Sequence, residues 1–182
     1  MISKRTLLVG LGGLICLPGA KPARAALPPV SMARHEAAMK LAIEQGKKNA
    51  AYPYGAVITD AASGDVVAQG ANNSYGNPTL HGEIVCINDY VAKHGNKDWD
   101  TKILYTTCEP CPMCMTALIW AKIGGVVFAS SAFSPALVAS IGEPIQIPAQ
   151  EVIDKASYHK PMLLGGVLAA ETDSMFINRK RY

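Results

Sequence analysis

No acidic residue stands in the first 25 positions, no apolar run is long enough to cross a bilayer, and no internal repeat or low-complexity tract interrupts the chain. Each absence excludes something. A spanning helix needs roughly 18 or more consecutive apolar residues, and a solenoid or propeller needs repeats. What is left is a chain of 182 residues, enough for one domain with a real core and too few for two full ones.

The first 25 residues stand apart from that domain. Lys4 and Arg5 precede an apolar stretch from Thr6 to Leu17, and Ala23-Arg24-Ala25 is followed by Ala26. A charged start, a short apolar run and an A-x-A cleavage site read as a secretory signal peptide. A buried N-terminal helix would instead carry Gly10, Gly12 and Gly13 in its interior, at about 1 kcal/mol each against Ala. Ser3-Lys4-Arg5-Thr6-Leu7-Leu8 resembles the twin-arginine export motif, with Lys in place of the first Arg. Ile15 stands before Cys16, where a lipoprotein signal needs a small residue. Residues 1–25 are thus expected to send a bacterial protein to the periplasm and to leave no membrane anchor after cleavage. Residues 26–182 are expected to form the folded domain.

Cleavage changes the charge. Of 17 basic residues, Lys4, Arg5, Lys21 and Arg24 lie in the leader, so 13 remain against 14 acidic ones and the net charge becomes −1. A protein that grips a nucleic-acid backbone needs clustered Lys and Arg. Only Arg179-Lys180-Arg181 offers that, and a terminal basic triplet is more often a solvated end. No nucleic-acid partner is expected.

Periodicity and caps place the elements. Ser31 is positioned to cap a helix running to about Gln45, with Met32, His35, Met39, Ala42 and Ile43 on one face and Gly46 as terminator. Tyr54 to Thr59 and Asp65 to Ala68 read as strands joined by a turn at 60–64. Thr79 is expected to cap a second helix carrying Ile84, Ile87 and Val91 and ending near Gly95. Ile103 to Thr107 is β-prone, and a third helix opens at Pro110-Cys111-Pro112, where proline suits the first turn. Gly124-Gly125 should close it. Val126 to Ala129 reads as a strand, Ser134-Pro135 and Pro148 to Ala156 as further helices, Met162 to Leu168 as a last strand, and Ala169 to Ile177 as a closing helix. Helices alternating with strands after a hairpin imply a layered α/β domain with a mixed sheet.

Two motifs carry chemistry. His81-Gly82-Glu83 opens the second helix, and Pro110-Cys111-Pro112-Met113-Cys114 opens the third. Cys111 and Cys114, three apart, share a helix face, and the positive end of the helix favours their thiolates. Two thiolates and an imidazole leave the fourth position of a tetrahedral zinc open for water, the arrangement of a catalytic site. Glu83 is excluded as a ligand because it points elsewhere on a regular helix. It is placed instead to take a proton from water and return it to a ring nitrogen and a leaving amine. A lone C-x-x-C in an exported protein also fits a disulfide, redox pair or structural-metal module, which would leave His81-x-Glu83 unexplained. Together, H-x-E and P-C-x-x-C about 30 residues apart match the zinc deaminase signature. Cys86 and Cys108 read as buried apolar residues, and His35, His94 and His159 as core or surface residues.

From Pro53 to Ser130 the chain resembles the cytidine/deoxycytidylate deaminase superfamily, in the branch of guanine deaminases, fungal-type cytosine deaminases and tRNA adenosine deaminases. Cys108-Glu109-Pro110-Cys111-Pro112-Met113-Cys114 with Trp120, Pro53-Tyr54-Gly55-Ala56-Val57, Gly70-Ala71-Asn72-Asn73 and the end Lys180-Arg181-Tyr182 look like guanine deaminases. Thr79-Leu80-His81-Gly82-Glu83-Ile84 and Leu104-Tyr105-Thr106-Thr107 look like cytosine deaminases, and Gly82 departs from the Ala common in the other branches. Gly165 to Glu171 is similar to the closing helix of the tRNA enzymes.

The resemblance implies a three-layer α/β/α fold with a mixed five-stranded sheet, a homodimer and one Zn2+ per chain held by His81, Cys111 and Cys114. It implies hydrolytic deamination of a free nucleobase, guanine ahead of cytosine, with nucleosides, other aminated heterocycles and tRNA as further alternatives. Carried over, Asn72 would hydrogen-bond the substrate, while Tyr54 and Trp120 would offer it aromatic surface. Glu143 would accept from guanine's N–H groups, and Tyr182 would cover the pocket.

Overall fold

The computed structural model describes residues 27–180. The expected leader and Tyr182 lie outside the described residues. The elements are α1 (Met32–Lys47), β1 (Gly55–Asp60), β2 (Val66–Ala71), α2 (Gly82–His94), β3 (Lys102–Cys108), α3 (Pro112–Ala121), β4 (Gly125–Ser130), α4 (Pro135–Ile141), α5 (Ala149–Lys155), β5 (Met162–Leu164) and α6 (Ala169–Ile177), with one short 3-10 turn before β3. One five-stranded sheet runs in the order β2-β1-β3-β4-β5. β1 is antiparallel to both β2 and β3, whereas β3, β4 and β5 run parallel.

Alternation along the strands divides the core into two layers. Val57, Ile103, Tyr105 and Val127 face Met39, Ala42 and Ile43 of α1. Their neighbours Ala56, Ile58, Leu104 and Val126 face the other way, onto Cys86 and Tyr90 of α2, Met115 and Leu118 of α3, and Ile153 of α5. Helices thus cover both faces, and all seven residues of β3 are buried as a central strand requires.

Several boundaries differ from the sequence reading. α1 continues through Gly46, whose missing Cβ leaves room for the Pro53 carbonyl, and Met32 is exposed. Thr79 does not cap α2. Its N–H and hydroxyl both donate to Asn77 Oδ1, a local turn that delays the helix, and His81 becomes the N-cap. The buried side of α2 is Gly82, Glu83, Cys86 and Tyr90, while Val91 is exposed. α3 ends at Ala121 with Lys122 left-handed, before the two glycines. β5 stops at Leu164 because Gly166 takes a positive φ of 87° and breaks the ladder.

Two glycines seat α2 against the sheet. A Cβ on Gly70 would lie 2.4 Å from both the Gly82 carbonyl and the Cys86 nitrogen, and one on Gly82 would lie 2.7 Å from the Tyr54 carbonyl. This close approach puts the first turn of α2 over the start of β1 and beside the ends of the parallel strands, where open α/β sheets bind ligands.

Candidate active site

His81 ends the loop before α2, and Cys111 ends the loop between β3 and α3. Both are helix N-caps with extended backbones, so their side chains leave the helix starts toward one point. Cys114, in the first turn of α3, is fully buried beneath them. His81 Nδ1 lies 3.7 Å from Cys111 Sγ and 3.6 Å from Cys114 Sγ. The three donor atoms all fall within 4.8 Å of one another. The four cysteines among the described residues are free thiols.

These distances can be compared with a tetrahedral zinc. Ligand bonds of about 2.3 Å to sulfur and 2.0–2.1 Å to nitrogen put the two donors about 3.5–3.6 Å apart. The residues present fit the ion. Charge agrees with geometry: the hydrogen bond from Cys114, aided by His81, pulls the Cys111 thiol down to about 4 despite its partial burial. Cys114 is pushed upward by its hydrogen bond to Cys111 and by burial. Two thiols so placed share one negative charge, which a cation would extend to both.

Glu83 lies one residue into α2 and is almost wholly buried. Burial raises its carboxyl above the ordinary range, and the Thr106 hydroxyl donates to Oε1 at 3.3 Å. His81, Glu83 and Cys111 open into one cavity of about 300 Å3, whose walls include Tyr54, Asn72, Glu109 and Glu143. That volume lies at the small end of ligand sites, roughly 300–1,000 Å3.

The cytidine and deoxycytidylate deaminase zinc-binding region matches residues 32–130, more than half of the chain, and spans both motifs. The chain belongs to this deaminase family. Among its relatives, Bacillus subtilis guanine deaminase is 39% identical over 95 residues, covering 51% of this chain and 60% of that protein. The tRNA-specific adenosine deaminase of Haemophilus influenzae is 32% identical over 110 residues, covering 58% of this chain and 63% of that one. The chain thus spans less than two thirds of the length of either relative. The solved structure of guanine deaminase from Nitrosomonas europaea superposes with a TM-score of 0.67 at 23% identity, covering 90% of this chain and 94% of that one. At that identity the likeness establishes the fold, a mixed five-stranded cytidine deaminase-like sheet.

Within this deaminase fold the expected substrate residues separate. Tyr54, Asn72 and Glu143 line the cavity. The Tyr54 ring rests on Phe176 with centroids 4.9 Å apart. Asn72 Oδ1 accepts from the N–H and the hydroxyl of Ser74, which commits its oxygen and leaves the NH2 for a ligand. Glu143 is exposed at the cavity wall and accepts from Gln146 Nε2. Trp120 is a correction. It is 69% exposed on the outer side of α3, against Tyr158, and lines a different groove. Six residues from Cys114, at about 100° per residue, it turns roughly 120° away from that cysteine. Tyr182 lies outside the described residues.

Two lining or supporting residues escaped the sequence reading. Thr106 sits mid-strand in β3 and looks like any β-branched core residue. Glu109 lies inside the cysteine motif, but both its oxygens are committed, Oε2 accepting from the Ser131 hydroxyl and Oε1 from the Ala149 N–H. It fastens the end of β4 and the start of α5 to the loop that carries Cys111. The other histidines are structural: His35 Nδ1 meets the Tyr105 hydroxyl, His94 meets the Val67 carbonyl and His159 the Ile123 carbonyl.

Proposed function

We propose that the chain hydrolyses the exocyclic amine of a free nucleobase, with guanine as its substrate and xanthine and ammonia as products. The observation that carries this reading is the meeting of His81 Nδ1, Cys111 Sγ and Cys114 Sγ within 4.8 Å of one another, with His81, Cys111 and the buried Glu83 carboxyl lining one small cavity. Guanine is favoured by the 39% identity to a guanine deaminase. It is also favoured by Glu143, a carboxylate at the wall able to accept from a ring N–H and an amine together.

His81, Cys111 and Cys114 would hold one zinc ion per chain, which supplies a Lewis acid and lowers the pKa of water toward about 7. Glu83 moves the protons. Thr106 holds Oε1, so Oε2 takes a proton from the attacking water, delivers it to the ring nitrogen, and a later proton goes to the leaving amine. Water oxygen first adds to the amine-bearing carbon while the adjacent ring C=N becomes C–NH. The new hydroxyl then passes its proton through Glu83 to the amine, the exocyclic C–N bond breaks as C=O forms, and xanthine and ammonia result. Asn72 donates its NH2 to the polar edge of the base, and Tyr54 walls the ring. Burial of Glu83 keeps its proton from exchanging with bulk water.

The test is a comparison of guanine, cytosine, adenine and guanosine by chromatography on the zinc-loaded chain. Xanthine formation should lead the others in kcat/KM by at least about tenfold, or about 1.4 kcal/mol. Uracil as the dominant product would overturn guanine in favour of cytosine, and activity confined to tRNA would overturn the free base. We also propose that residues 1–25 direct export and that the domain is a homodimer. Cell fractionation and sedimentation test these, with a cytoplasmic or a monomeric chain as the contrary results.

A further inference from the structure

Arg179 follows α6, lies beyond the residues matched to the family, and lines no part of the cavity. Its guanidinium nonetheless joins two of the cavity's walls. One terminal nitrogen donates to the Ala51 carbonyl and the other to the Ser140 carbonyl, each at 3.0 Å. Ala51 directly precedes Tyr52 and Tyr54, which form one wall, and Ser140 directly precedes Ile141 to Pro144, which form another.

Further links support both ends. The guanidinium carbon lies 5.9 Å from the centre of the Tyr52 ring. The Lys180 N–H donates to the Ala50 carbonyl at 2.9 Å. On the other wall, the Ser140 hydroxyl donates to the Phe176 carbonyl at 2.7 Å. Only a planar fork with fixed donors reaches two carbonyls in this way; a single ammonium is a point charge. The third nitrogen, Nε, is buried without a hydrogen-bond partner among the described residues, a costly arrangement that the side chain accepts in holding this position.

We propose that Arg179 is a positioning residue, a clasp that sets the spacing between the Tyr52–Tyr54 wall and the Ile141–Pro144 wall and thereby the fit of the cavity to its substrate. The identity of that substrate rests on the function proposed above. The clasp touches neither the metal-binding side chains nor Glu83, so it acts on binding and leaves the chemical step alone.

The test uses Arg179→Ala and Arg179→Lys in the full chain, with Lys180→Ala as a control for lost charge. Arg179→Ala should retain its zinc, raise KM for guanine about tenfold and change kcat by less than about threefold. Backbone amides of residues 50–54 and 140–144 should exchange faster with solvent. Arg179→Lys keeps the charge and the stem but loses the fork, so it should behave like the Ala variant even if the latter folds poorly. Lys180→Ala should match the wild type. Full rescue by Lys, a fall in kcat at constant KM, or unchanged exchange in both walls would overturn the clasp. The exchange measurement needs no substrate. A wild-type chain inactive on every base would therefore sink the proposed function while the clasp was still tested.

Discussion

The Thr106 hydroxyl donates to Glu83 Oε1 at 3.3 Å, and both residues are almost wholly removed from solvent. A central strand thus holds one oxygen of a carboxyl delivered by a helix start, and in the proposed reaction this carboxyl moves the protons. Glu83→Gln should keep fold and zinc and slow turnover by about 10²- to 10⁴-fold, the usual contribution of a positioned acid–base group. Thr106→Val, which keeps the shape and removes the donor, should cost about tenfold at most. Steady-state rates check both, and a Gln variant above a tenth of the wild-type rate would remove Glu83 from the proton path.

Metal content separates the cysteines. His81→Ala, Cys111→Ala and Cys114→Ala should each purify with less than about a tenth of the wild-type zinc, since ligand loss removes a large share of the binding free energy. Cys86→Ala should keep its zinc, because that side chain is buried in the apolar core beneath α2. Emission spectroscopy of the purified variants reads this directly. Full zinc in any of the first three would strike that residue from the set.

Glu143 should matter for guanine and little for a base without adjacent donors. Glu143→Gln should lower kcat/KM for guanine by about tenfold or more, because a donor left unpaired on binding costs about 1–3 kcal/mol. Equal losses on guanine and on a base lacking that donor pair would show that Glu143 acts only on the shape of the loop.

His35 gives a pH signature of stability. Burial, and then the nearby Arg34 charge, lower its pKa below the ordinary value, so the folded chain holds the imidazole neutral against the Tyr105 hydroxyl. The unfolded chain therefore binds the proton first as pH falls. The stabilisation is complete above about pH 6.5 and is lost progressively below it, toward the lowered folded value. Urea midpoints between about pH 5 and pH 8 should fall on the acid side for the wild type and fall less for His35→Gln. Parallel curves for the two proteins would contradict this assignment.

Much of this arrangement was legible in the sequence because its signals are local. Ser31 caps its helix as read and α4 opens at Ser134-Pro135 as read, each serine accepting from an N–H three residues on. Cys111 and Cys114 sit on the helix start that Pro112 announces. Where tertiary contacts decide, the sequence misled. The inner side of α2 is built from a glycine, a carboxyl, a cysteine and a tyrosine, and of the apolar residues expected there Ile87 packs against the core while Val91 is exposed. Trp120 follows the cysteine motif closely yet leaves the site by helical rotation. Arg179 reaches Ala51 across 128 positions, a contact no window along the chain can reveal.

The most direct measurement is a zinc titration of the chelator-stripped chain, following ammonia release from guanine at each addition. No release is expected from the stripped chain, then a linear rise with added zinc and a plateau at about one equivalent per chain, as for a single three-residue catalytic site. Full activity without metal, or one bound zinc with no ammonia from any base, would contradict the proposed function.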